Sequence, residues 1–146
     1  MEEILNELIH KLTRMFWVFV IVLLALLLYA FWRVEAESIR IALSAETQYM
    51  IATVAILLTI IPIPLVFYYY SNKAKQAKLL KDERIKVDWF VQISRIRLLV
   101  FFLIGFYHVN FYLFTGDRSS QLFSLIVLVL LFLSKPSLHQ FESDFN

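Results

Sequence analysis

The chain has 146 residues, 60% of them hydrophobic, with 2 glycines and 3 prolines and a mean hydropathy of +0.71. That apolar share lies well above the roughly 45–50% of a soluble domain, and the scarcity of breakers points to helix throughout. The absence of cysteine excludes disulfides, thiolate metal sites and cysteine nucleophiles, while a net charge of only +2 conceals a lopsided distribution of cations.

Residues 1–14 predict an amphipathic helix. Ile4, Leu5, Leu8, Leu12 and Met15 share one face, opposite Glu3, Glu7, Lys11 and Arg14. Its acidic first turn argues against a basic lipid-binding helix, so it is expected to lie in the membrane interface or to pack on the chain's own cytoplasmic loop. Residues 15–34 then supply a first span, since a membrane helix needs about 20 mainly apolar residues. The apolar core exceeds the roughly 7–15 residues of a signal peptide, and bulky Phe31, Trp32 and Arg33 stand where a small-residue cleavage site belongs. The segment is therefore expected to remain, with helix continuing through Val34-Glu35-Ala36-Glu37.

Ser44 is a suitable N-cap for the next helix, with Glu46 in its first turn, and residues 47–70 form the second span. Gln48, Ala52, Ala55, Thr59 and Pro62 recur at spacings of three and four, a stripe of small and polar residues on one face. Lipid supplies no hydrophobic push between helices, so close packing through such residues holds them together. Ile61-Pro62-Ile63-Pro64 should interrupt the same helix, because two prolines withhold donors from the carbonyls of Leu58 and Ile60. Transporters place binding sites at such breaks, although a plain kink is the commoner use.

Residues 71–92 carry six cations, Lys73, Lys75, Lys78, Lys81, Arg84 and Lys86. In a soluble protein this run would suggest a nucleic-acid arm; pinned between two apolar stretches it reads as a cytoplasmic anchor. Lacking Gly or Pro, it should be a helical hairpin turning near Lys81–Arg84. The third span, residues 93–114, begins with Arg95 and Arg97, whose side chains can snorkel to the headgroups or contact a lipid phosphate or quinone headgroup. Farther along, Tyr107, His108 and Asn110 form the most polar patch of any span, with Gly105 one turn away allowing a close helix neighbour. Such residues at membrane depth usually hydrogen-bond across a bundle; the functional alternative is a ligand, quinone or redox site. A bis-histidine haem within one chain lacks its second ligand, because His10 and His139 belong to the ends. Thr115–Arg118 predicts a tight turn, residues 119–135 a short fourth span closed by Pro136, and residues 136–146 a tail that is either a short docked helix or loose.

With four spans, one side of the membrane holds Lys11, Arg14, the six hairpin cations, Arg95, Arg97 and Lys135, and the other holds Arg33, Arg40 and Arg118. Eleven against three is a strong positive-inside bias. The sequence therefore predicts an all-α, four-transmembrane-helix bundle in the plasma (inner) membrane of a bacterium, with both termini cytoplasmic. No Asp or Glu lies inside a span, and no phosphate-cradling glycine loop, metal-spaced histidine pair or Ser-His-Asp set is present. No cofactor, metal or nucleic-acid partner is expected. The leading expectation is a non-enzymatic accessory or assembly subunit, with anionic lipid at the hairpin and a protein partner or homo-oligomer. The alternatives are the ligand or redox site around Tyr107, His108 and Asn110, and, by analogy of size and topology alone, an immunity-type protein against a pore-forming toxin.

Overall fold

A computed structural model of the chain describes residues 1–36 and 42–146. It is 87% helix, with no strand among the described residues, as a breaker-poor sequence demands. Glu37 and Arg40 lie outside the described residues. The first helix, α1 (Glu2–Glu35), joins the amphipathic segment and the first apolar segment without interruption, since nothing between Arg14 and Met15 stops the backbone ladder. Its 34 residues span about 51 Å at 1.5 Å each, against a hydrocarbon core of about 30 Å. Its N-terminal third packs on the chain itself: Leu5 and Leu12 are buried, with Leu8, Ile9 and Met15 against the same cluster, whereas Ile4 faces outward.

Ser44 caps α2 (Ala45–Ile60), accepting from the Thr47 N–H at 3.3 Å. The expected break at the two prolines is confined to one residue. Ile61 keeps right-handed helical angles and Pro62 opens α3 (Pro62–Ala77), where an absent N–H costs little. Flanking bonds from Ile61 N–H to Leu57 O (3.1 Å) and Leu65 N–H to Ile61 O (3.4 Å) carry the rod through. The hairpin turn falls at residues 78–82, a few positions before the expected one, because the Asp82 carboxylate caps α4 (Glu83–Thr115) by accepting from Arg84 N–H at 2.9 Å. At the other end Gly116 takes φ 69, left-handed and suited to glycine. Asp117 immediately caps α5 (Arg118–Leu133) through Ser120 N–H at 2.9 Å.

Three stretches, Glu2–Glu35, Ala45–Ala77 and Glu83–Thr115, are long and apolar enough to cross a membrane; α5 joins them only if counted with α6 (Leu138–Asp144), which is bent 80° away from it. The 16 residues of α5 reach about 24 Å, and the turn at Lys135-Pro136-Ser137 sends α6 across the end of the bundle. The tail is thus a docked helix.

The core runs along α4, which contributes to all three buried clusters. At the hairpin end, Phe90, Val91 and Ile93 meet Leu5 and Leu12 of α1, Ala74 and Ala77 of α3, and Phe141 and Phe145 of the tail. In the middle, Leu98, Phe101 and Ile104 meet Phe16, Val20 and Leu23 of α1 and Val127 and Leu131 of α5. At the far end Val109 and Tyr112 pack on Leu27 and Ala30. By contrast α2 buries only Ala55 and Thr59, leaving Tyr49, Met50, Leu57, Ile60 and Ile61 exposed.

Gly105 sets the closest approach. A Cβ there would lie 2.9 Å from Leu23 Cδ1 and 3.3 Å from Val127 Cγ1. Gly105→Ala should leave thermal stability in detergent near wild type, because the better helix propensity of alanine, up to about 1 kcal/mol, offsets a small shift of the Leu23 tip. Gly105→Val meets both neighbours and is expected to cost about 1–3 kcal/mol. Equal melting points for the two variants would contradict this packing.

Candidate functional site

Two polar constellations interrupt the apolar interior. The first is centred on His108, fully buried in α4. Its Nε2 lies 2.6 Å from Thr59 Oγ1, and that hydroxyl donates back to the Ala55 carbonyl at 3.0 Å. With the threonine proton committed to its own helix, the short contact places the histidine proton on Nε2, which donates to Oγ1. Nδ1 is then a buried acceptor without a partner among the described residues. The ring stacks on Phe123 of α5 at 5.1 Å between centroids, so one side chain ties α2, α4 and α5 together.

Tyr107 and Asn110 stand elsewhere. Asn110 Nδ2 donates to the Phe106 carbonyl at 2.7 Å, and the Tyr107 ring lies parallel to Phe111. Both line an apolar recess of about 530 Å³ between α2 and α4, bounded among the described residues by Ile51, Leu103, Phe106 and Phe114. His108 is not among its lining residues. The structure therefore splits the trio: Tyr107 and Asn110 line the recess, whereas His108 turns into the bundle interior and meets the Tyr107 ring edge-on at 5.9 Å between centroids.

The helix 2 stripe is divided as well. Ala55 and Thr59 are buried, Ala52 and Pro62 half-buried, and Gln48 exposed. Gly105 faces α1 and α5, not this stripe. The seam thus narrows to the single turn that carries Thr59 to His108.

The second constellation surrounds Arg97. Arg95 and Arg97 are two residues apart, about 200° around a helix, and the structure separates them accordingly: Arg95 is exposed, whereas Arg97 retains 3% of its surface. Arg97 Nη2 donates to Ser134 O at the end of α5 (3.1 Å) and to Gln140 Oε1 of α6 (3.3 Å). Its guanidinium lies 4.4 Å over the Tyr70 ring, and the Tyr70 hydroxyl donates to Asp144 Oδ2 at 2.7 Å. A cation at a helix C-terminus meets bare carbonyls with favourable partial charge, and α5 ends on this one. Nearby hairpin cations also grip the tail. Lys78 Nζ donates to Ser143 O (2.9 Å) and Lys86 Nζ to Asn146 Oδ1 (3.4 Å), while Lys73 sits 4.1 Å over the Trp89 ring.

This cluster was the part that sequence reasoning missed. Its signal was the phase of α4, where Phe90, Ile93, Ser94, Arg97, Leu98 and Phe101 are all buried at helical spacing, so Arg97 continues an apolar stripe that Arg95 does not touch. Elsewhere, Glu7 and Lys11 form an exposed ion pair at 2.7 Å, and the hydrogen bond and charge of Lys11 hold the Glu7 carboxyl below its ordinary range. Among the described residues no group of three or more His, Asp or Glu side chains converges as a metal site would. Comparison with protein-family models, with curated proteins and with solved structures finds no match for this chain.

Thr59 and His108 should behave as one unit. Thr59→Val and His108→Phe are each expected to cost about 1 kcal/mol in detergent melts, with the double variant less destabilised than their sum by about 0.6–1.7 kcal/mol, the range for polar ties between membrane helices. Strict additivity would show that the contact carries no energy.

Proposed function

We propose that the chain is a non-enzymatic integral membrane protein of four spans, an accessory or assembly subunit that acts through its helix faces and its basic hairpin. The observation that carries this reading is α2. It buries two side chains and turns Tyr49, Met50, Leu57 and Ile60 outward, so its face needs hydrocarbon or another helix beside it. The polar groups of the interior point the same way. His108 and Arg97 are engaged with neighbouring helices, and the Thr59 hydroxyl beside His108 donates to its own helix.

Placement follows from charge and length. The bias of Lys and Arg puts both termini and the hairpin on the cytoplasmic side of the plasma (inner) membrane of a bacterium, where anionic headgroups attract the hairpin cations. On this reading α5 is the fourth span despite its 24 Å, flanked by Arg118 and Lys135, which can reach the headgroups. A second reading, a site for an apolar ligand in the bilayer, is favoured by the recess of about 530 Å³ beside Tyr107 and Asn110, a size within the range of small-molecule pockets.

Purification of the tagged chain in mild detergent should yield a stoichiometric protein partner or a defined homo-oligomer. Replacing Met50, Leu57 and Ile60 together by alanine should release that partner while the melting point stays within a few degrees. Recovery of the wild type only as a lone monomer would contradict the proposal.

A further inference from the structure

Arg97 has more donor capacity than its surroundings use. Its Nη2 is shared between two neutral oxygens, Ser134 O and Gln140 Oε1, and its buried Nε–H has no partner among the described residues. No carboxylate among the described residues comes within ion-pair distance of it; the ion pair between described residues is Glu7–Lys11. Asp144, the acid drawn toward it, accepts instead from the Tyr70 hydroxyl and the Ser143 hydroxyl. A guanidinium taken out of water calls for an anion, and its planar fork of Nε–H and Nη–H matches two oxygens of a phosphate.

What covers this cation is the tail. Its helix α6 has seven residues, too few to be stable alone, and hangs on a short turn at Lys135-Pro136-Ser137. It is held by Phe141 and Phe145 packed on Phe90 and by contacts from Tyr70, Lys78, Lys86 and Arg97. α6 crosses the end of α5 at 80°, which on the membrane reading given above sets it at the level of the headgroups.

We propose that Arg97, assisted by Tyr70, is a binding site for the phosphate of an anionic phospholipid of the inner leaflet, and that α6 is the lid over it, with Asp144 competing for the same ground. This rests on the membrane reading given above. When the lid lifts, the fork of Arg97 takes two phosphate oxygens, Tyr70 donates to the phosphate in place of Asp144, and Lys78 and Lys86 are released to the headgroup region.

The test is native mass spectrometry of the full chain from detergent holding equimolar phosphatidylglycerol and phosphatidylcholine. Wild type should retain phosphatidylglycerol preferentially. Asp144→Asn, which weakens the lid without touching the cation, should raise that retention several-fold. Adding Arg97→Gln to it should lower retention by about tenfold or more, the loss of a charge-assisted bidentate contact, while Lys75→Gln, an exposed hairpin cation, should change it little. An unchanged or lowered retention in Asp144→Asn would overturn the proposal even if Arg97→Gln failed to fold. So would equal losses for Lys75→Gln and Arg97→Gln, which mark diffuse charge. Displacement of the lipid by millimolar inorganic phosphate would assign the cation to a soluble anion and overturn the lipid assignment. A chain that never enters liposomes defeats the membrane reading itself; one that enters and shows no headgroup preference defeats this inference alone.

Discussion

In hydrocarbon a helix gains almost nothing by hiding apolar side chains from its surroundings, so a bundle holds together only where specific contacts are better than lipid. The apolar bundle answers that constraint through α4. Its 33 residues touch α1 and α5 through the close approach at Gly105, α2 through His108 and Thr59, and the end of α5 with the tail through Arg97. These are three different solutions to one problem: a missing side chain, a buried polar pair, and a buried cation on a helix-terminal carbonyl and a tail amide. Where none of them operates, as along most of α2, the helix is left with its apolar face outward.

The hairpin end follows other rules. There α1, α3, α4 and α6 enclose a core of Leu5, Leu12, Phe90, Phe141 and Phe145 that resembles a small water-soluble domain, with apolar burial of about 1.5–3 kcal/mol for each large side chain. The basic residues of the hairpin lie around this core, and Lys78 and Lys86, with Arg97 of α4, hold the tail. On the proposed placement one set of charges serves two purposes, attraction to an anionic membrane surface and retention of a short helix.

The elements themselves were legible because their signals are local. Ser44, Asp117 and Gly116 act through neighbouring amides and their own backbone, and length with hydropathy suffices to find the apolar rods. The effect of the two prolines is equally local: Pro62 falls at a helix start, where its missing donor is not needed, and the bonds to and from Ile61 keep the interruption to one residue. What the sequence could not reveal was pairing. Thr59 stood out as part of a stripe, yet nothing in its neighbourhood names His108, 49 positions away. Tyr107, His108 and Asn110 lie close in sequence, yet Tyr107 and Asn110 line the recess while His108 turns into the bundle. Arg97 looked like an interfacial anchor beside Arg95; only the phase of the buried stripe distinguishes them. The phenylalanines of the tail have the spacing of a helix face, but their partners on α4 come from tertiary packing.

The proposed arrangement of four spans, with the hairpin and tail on the cytoplasmic side, requires short α5 to cross the membrane. Because the chain has no cysteine, single cysteines at Ser119 and Ser143, both exposed and at opposite ends of the α5–α6 segment, report cleanly to a membrane-impermeant maleimide. In intact cells Ser119→Cys should be labelled at once and Ser143→Cys only after the membrane is permeabilised. Labelling of both from the same side would mean that α5 does not cross, and the four-span account would fall.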